Sequence, residues 1–332
     1  MEPPAPLVLV PGHTATDRTR AVWAKLTAMF PAERAEGVHD VDVDTPSTIT
    51  SHAPGYVDPE LDLIVGLQTD APLRRAIMPN GGLKTVQDGL AAYGYELPER
   101  VAEIFTTYRK THNQGVFDAY TPAIRAARRS HVITGLPDAY GRGRTIGDYR
   151  RPALYGTARL IEGKKAERAL LDARRSTAEV VQLREENSEQ VRALGELERM
   201  AASYGYDVSG PARTGREAIQ WLYFAYLAAV KEQNGAAMSL GRTATFVDVF
   251  LQRDIAEGRL TEQDAQELVD DFVVKLRIVR FLRTPAYDEL FSGDPTWVTE
   301  SIGGLGEDGR PLVTRTSFRY LQTLCNLGPA PG

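Results

Sequence analysis

The run Ile219-Gln220-Trp221-Leu222-Tyr223-Phe224-Ala225-Tyr226-Leu227-Ala228-Ala229-Val230 is apolar almost all the way round a helical wheel. A surface helix needs only one apolar stripe, so a helix with no polar face has to be surrounded by protein. The spacing therefore predicts a helix from about Gly215 to Gln233 in the middle of the fold, covered by layers from the rest of the chain. The run is well short of the ~20 apolar residues that span a bilayer, and no other stretch approaches that length.

Much of the remaining sequence carries one-sided helical periodicity. Val22, Trp23, Leu26, Met29 and Phe30 predict a helix from about Asp17 to Phe30, capped by Thr16 or Asp17. Helices are also expected over Gly82–Tyr93, Pro98–Lys110, His112–Arg129 with a restart after Pro122, Arg151–Ile161 and Ala166–Ala173. A long one covers about Thr177–Tyr204, with Val180, Leu183, Val191, Leu194 and Leu197 on one face and Arg and Glu on the other. Thr261-Glu262-Gln263-Asp264 opens a capped helix that continues through Leu282 and stops before Pro285. Residues 31–60 lack a period and suggest a long irregular crossing, with a helix entry signal near Asp58-Pro59-Glu60. Residues 66–80, interrupted by Pro72 and Pro79, hold at most a brief helix. Ser130–Thr134, Trp297–Thr299 and Leu312–Thr314 are strand candidates, and Thr245–Gln252 fits either strand or helix. Pattern alone gives a mostly helical chain with scattered short strands.

Charge and cysteine content narrow the function classes. Lys+Arg is 39 against Asp+Glu 44, a formal net charge of −5, so no overall attraction to nucleic acid or anionic membrane is expected. The single cysteine excludes a disulfide framework and an all-cysteine metal site. Residues 1–16 place an acidic residue and three prolines ahead of a short apolar run, unlike the basic start and longer apolar region of a signal peptide, and suggest a variable, disordered N-terminus. A reduced, cytoplasmic protein is the expectation.

The densest chemical signal is Gly135-Leu136-Pro137-Asp138-Ala139-Tyr140-Gly141-Arg142-Gly143-Arg144-Thr145-Ile146-Gly147-Asp148-Tyr149-Arg150-Arg151. Glycines beside arginines let the backbone approach an anion while guanidinium forks grip a carboxylate or phosphate. A turn of structural glycines with surface arginines explains the pattern about as well. The dinucleotide fingerprint fails because the third glycine falls one residue late. Phe117 and Tyr140 bracket the segment and fit either ligand stacking or core packing, with packing favoured on pattern alone. Trp297 is similarly ambiguous. His13, His39, His52, His112 and His131 show no metal-ligand spacing, and the lone Cys325 could be a nucleophile but fits an inert small hydrophobe better, since nothing in the sequence activates it. There is no nucleophile elbow, H-E-x-x-H or P-loop lysine motif.

Several long blocks carry a resemblance. Thr48–Tyr56, Gly66-Leu67-Gln68-Thr69, Tyr108–Asp118 and the whole of 135–151 resemble pyruvate formate-lyase. So do Gln233-Asn234-Gly235-Ala236-Ala237-Met238-Ser239, Phe281-Leu282-Arg283-Thr284-Pro285, Phe291-Ser292-Gly293-Asp294-Pro295 and Thr299–Gly304. The likeness runs from about Val22 to Pro331. It implies a helix-rich α/β fold, the first half of a glycyl-radical-enzyme β/α barrel surrounded by helices, with residues 17–332 as the N-terminal part of that domain. It implies formate C-acetyltransferase chemistry, in which pyruvate and coenzyme A give acetyl-CoA and formate by a radical route. Within it, Arg144 matches the arginine that binds the pyruvate carboxylate, Trp297 an aromatic wall of the pyruvate pocket, and Phe117 and Tyr140 aromatics on the CoA approach.

The same resemblance implies an adjacent cysteine pair and a radical-bearing glycine that these residues do not contain, and Cys325 matches neither cysteine. No catalytic residue, metal or bound cofactor is thus expected in this chain, whose family uses a protein glycyl radical and CoA as co-substrate. Gly328-Pro329-Ala330-Pro331 resembles the linker before the second half. Expected partners are pyruvate, CoA, a second copy or a complementary C-terminal chain, and a radical-SAM activating enzyme. The chain alone is expected to be inactive. One chain of a split enzyme, or a non-catalytic pyruvate- or CoA-binding or dimerising remnant, are the alternatives.

Overall fold

The computed structural model describes residues 13–79, 82–109, 112–133, 147–233, 238–286, 289 and 296–328. Their elements run α1 (Asp17–Thr27), α2 (Phe30–Glu36), β1 (Asp40–Pro46), β2 (Arg74–Ile77), α3 (Leu83–Ala92) and α4 (Glu99–Glu103), which a π turn (Ile104–Tyr108) continues. Then come α5 (His112–Ala119), α6 (Pro122–Arg129), α7 (Arg151–Asp172), α8 (Ala178–Ser203), α9 (Gly215–Gln233), α10 (Ala244–Ala256), α11 (Glu262–Arg277) and α12 (Arg315–Leu327).

The all-apolar segment takes the central place its composition demands. Ile219, Leu222, Phe224, Tyr226, Leu227 and Val230 of α9 are each 0 % exposed, and α7, α8, α10 and α11 pack around the helix. Two smaller cores flank this one. Val22, Leu26 and Phe30 seat the first two helices on Val274 and Ile278, while Val41, Ile77, Val86, Leu90, Val101 and Phe105 fill the space beside the strands. Buried ion pairs tie the layers together. Glu33 on α2 is held by Arg280 at 2.7 and 2.9 Å and by Arg75 of β2 at 3.2 Å. Burial pushes the Glu33 carboxyl up, but the two guanidinium groups outweigh it and hold it below the usual range.

β1 and β2 form a two-stranded parallel sheet, pairing Asp40 with Arg74, Val41 with Arg75 and Asp42 with Ala76 before an irregularity brings Pro46 opposite Ile77. Both strands correct the sequence expectations of an irregular crossing and a brief helix. Asp40-Val41-Asp42-Val43-Asp44 alternates as a strand does, but its aspartates are poor strand formers in isolation. Sheet pairing decides the outcome.

Other boundaries moved for local reasons. The helix expected to reach Phe30 stops at Thr27, and Pro31 in the first turn of α2 starts a new one. The two helices expected over 151–173 are one, kinked at Gly156, whose φ of 71° lets the segment 208–212 approach. There Thr157 N donates to Val208 O at 3.0 Å and Ala212 N to Ala153 O at 2.9 Å. Residues 130–133 form an exposed turn rather than a strand, with Val132 79 % exposed, and Thr134 lies outside the described residues. Residues 245–252 are helical, and α11 ends at Arg277 rather than Leu282, opening on the expected capping box between Thr261 and Asp264. Among the described residues neither 297–299 nor 312–314 forms a strand, and isolated bridges lie beside them, Gly241 with Glu300 and Leu305 with Pro311.

Candidate functional site at the strand ends

Because β1 and β2 are parallel, their carboxyl ends open on one side, the side where α/β sheets bind ligands. Just beyond β1, Ser47 N donates to Ile77 O at 3.2 Å and Ser47 Oγ donates to Lys231 O at 2.6 Å, fastening the strand end to the last turn of α9. Arg109, directly after the π turn, donates to Ser47 O at 2.8 Å and pairs with Glu232 at 3.0 Å.

A second set of groups backs this junction. Asp42 Oδ1 accepts from Asp44 N at 2.9 Å and Thr45 N at 3.0 Å, while its Oδ2 lies 3.1 Å from His52 Nε2. The other ring nitrogen, Nδ1, lies 3.0 Å from Ser51 Oγ. Burial, then the nearby Lys231 charge, hold His52 below the ordinary histidine range against the pull of Asp42. Burial likewise lowers Lys231 to about 8, opposed by Asp70.

A third part of the site hangs from α9. Tyr226 Oη donates to Met238 O at 3.0 Å, and Met238 N donates to Trp297 O at 3.0 Å. Trp297 is 39 % exposed, with the Arg283 guanidinium 5.9 Å from its ring. Three residues on, Glu300 accepts from Thr243 N at 2.6 Å and Ala244 N at 3.0 Å at the start of α10, and burial raises its carboxyl to about 7. Phe117, half-buried on α5, has Tyr120 edge-on at 5.6 Å and the Arg128 guanidinium at 5.3 Å. The two described residues of the expected ligand set thus sit on separate elements with different ring partners. Arg144 and Tyr140 lie outside the described residues.

The histidine and lysine at the strand ends escaped sequence reasoning. His52 carries no spacing signal, and its role follows from Asp42, ten residues earlier on a strand that was not expected. Lys231 did leave a trace, since it follows directly on the apolar run and so falls on a helix that is buried all round. Among the described residues no group of three or more His, Cys, Asp or Glu could hold a metal, and no helix is long and apolar enough to cross a membrane. Cys325 is exposed on α12.

This architecture is shared with solved glycyl radical enzymes. The B12-independent glycerol dehydratase from Clostridium butyricum, in its glycerol-bound form, aligns over 96 % of this chain and 47 % of its own, with a TM-score of 0.69 and 18 % identity. A glycyl radical enzyme from Archaeoglobus fulgidus aligns over 96 % and 45 %, with a TM-score of 0.58 and 17 % identity. At such identities the likeness is one of fold. Residues 11–332 match the model of the pyruvate formate lyase-like family, and the chain belongs to that family. It is 59 % identical over 322 residues to a formate acetyltransferase of Haemophilus influenzae and 58 % identical over 322 residues to formate acetyltransferase 1 of Escherichia coli K12. These alignments cover 95 % and 96 % of this chain and 42 % of each relative, so the chain spans well under half the length of the curated proteins it matches.

Proposed function

We propose that this chain supplies the pyruvate-orienting portion of a formate C-acetyltransferase, converting pyruvate and CoA to acetyl-CoA and formate. The observation that carries the reading is the 59 % identity to a formate acetyltransferase over 95 % of the chain. The sequence has one cysteine, so the adjacent cysteine pair of that chemistry comes from outside these 332 residues, as does the radical glycine. That machinery supplies homolytic cleavage of the bond between the carboxyl and carbonyl carbons of pyruvate.

The residues of this chain bind and orient. Arg144 grips the pyruvate carboxylate with two parallel hydrogen bonds, fixing the carbonyl for attack. Trp297, held from α9 through Met238, walls the pocket against water. Phe117 and Tyr140 line the approach of CoA, whose thiol accepts the acetyl group. A cytoplasmic homodimer, activated by a radical-SAM enzyme, is the setting this reading implies.

The test is anaerobic reconstitution with a polypeptide carrying the cysteine pair and radical glycine, plus the activating enzyme. Acetyl-CoA formation that needs both polypeptides is the expected result. No activity from the activated mixture, with both polypeptides folded and associated, overturns the reading.

A further inference from the structure

We propose that Glu300 is a positioning residue of the pyruvate pocket, its carboxylate clamping the segment that bears Trp297 to the first turn of α10. The proposal rests on the reading above, in which Trp297 walls that pocket. Residues 297–301 run laced to residues 238–241. Met238 N donates to Trp297 O at 3.0 Å, Leu240 N to Thr299 O at 2.9 Å and Ser301 N to Gly241 O at 2.6 Å, around the parallel bridge between Gly241 and Glu300. These backbone bonds set the course of the segment. The Glu300 side chain then fastens it to the helix, its Oε1 accepting from both Thr243 N and Ala244 N.

The helix has a closer cap at hand. Thr243 directly precedes α10 and is of a residue type that caps helices through its own side chain. Yet its backbone is already helical, its side chain makes no capping bond, and its Oγ1 meets Tyr320 Oη of α12 at 3.1 Å instead. The first amides of α10 are left to a carboxylate that lies 57 and 56 residues further along the chain. Among the described residues the other carboxylate oxygen, Oε2, is buried with no hydrogen-bond partner, which costs stability. Capping alone does not call for that arrangement, because Thr243 could cap without it. Holding the Trp297 segment against α10 does.

The clamp has two strengths. An ionised carboxylate at the positive end of a helix bonds N–H groups more strongly than a neutral acid does. Burial raises Glu300 to about 7, against the pull of the two backbone bonds and of the Arg242 charge. The groups that face it are Arg242 and, on α12, Tyr320, whose phenol burial keeps neutral, while Arg283 faces the Trp297 ring. Trp297 is therefore held more firmly above neutral pH than below it.

The test labels the three tryptophans of the chain with fluorine and follows Trp297 by NMR, its signal assigned by loss in Trp297→Phe. In the purified 332-residue chain that signal is expected to titrate near pH 7, and to stop titrating there in Glu300→Gln, which keeps an acceptor for the helix and cannot ionise. In the reconstituted enzyme Glu300→Ala is expected to raise KM for pyruvate about tenfold with little change in kcat, and Glu300→Gln to recover most of that loss. A glutamate with a merely structural role would lower the folded fraction and leave KM unmoved. A Trp297 signal that titrates alike in the parent and Glu300→Gln overturns the proposal. A signal that follows Glu300 while KM for pyruvate does not strikes Trp297 from the pocket instead, and the positioning role falls with that reading.

Discussion

Lys275 Nζ lies 2.8 Å from Asp62 Oδ1, and both side chains are wholly buried. The pair joins α11 to the loop between the two strands, against which Asp271 also bonds by accepting from Ile64 N at 2.6 Å. Three ionisable groups thus share one dry junction, one cation between two acids.

Removing the cation strands both acids. Lys275→Ala is expected to lower stability by about 3–5 kcal/mol, the usual cost of breaking a buried pair from one side. Replacing the pair together, as Lys275→Met with Asp62→Leu, is expected to recover most of that loss. Urea unfolding of the two variants checks it, and equal midpoints would refute the pairing.

The same junction gives stability a sign with pH. Burial raises Asp271 to about 6, above its unfolded value, despite Lys275 and the backbone hydrogen bond. The native state then binds more protons than the unfolded state between about pH 4 and 6, so this group's contribution is lost as pH rises through that window. Asp271→Asn keeps an acceptor for Ile64 N and cannot ionise. Its stability relative to the parent is expected to rise across that window and level off above it, measured by denaturant unfolding at each pH.

Gly156 is a point where no side chain fits. Its φ is 71°, and an added Cβ would lie 2.1 Å from Ser209 O, a backbone atom with no freedom to move aside. Gly156→Ala is expected to cost at least about 2 kcal/mol from left-handed backbone strain and the clash together. A thermal melt within a degree of the parent would show that the kink relaxes. Gly163, on the same helix with nothing within 4 Å of its added Cβ, is the matched control.

In the reconstituted enzyme, Arg144→Ala is expected to lower kcat/KM for pyruvate by roughly a hundredfold or more, because the carboxylate would then be desolvated without its charged hydrogen-bond donor. Trp297→Ala is expected to weaken pyruvate use while leaving the melting temperature near that of the parent, since the ring is partly exposed and Trp297 is held through its backbone carbonyl. An unchanged kcat/KM for either variant would remove that residue from the substrate site.

How much was legible in the sequence depends on whether a signal is local. α9 and α11 declared themselves because an all-apolar run and a capping box act within a few residues. β1 did not, because its aspartates become favourable only when Arg74 pairs with Asp40 at 2.9 Å and His52 faces Asp42. Gly156 carries no local signal, because its reason lies about fifty residues away in the 208–212 segment. The resemblance singled out Arg144, Tyr140, Phe117 and Trp297 by motif.

The contacts that secure the strand pair come from far along the chain. Ser47 waits for Lys231, 184 residues later, Ile64 for Asp271, 207 later, and Glu33 for Arg280, 247 later. Such separations slow folding, because chain-closure entropy is lost before these contacts form. During synthesis at ~5–20 residues per second, β1 leaves the ribosome roughly 10–40 s before the helix that anchors it. Until α9 and α11 have been made, the strand pair therefore lacks the contacts that fasten it in the folded chain.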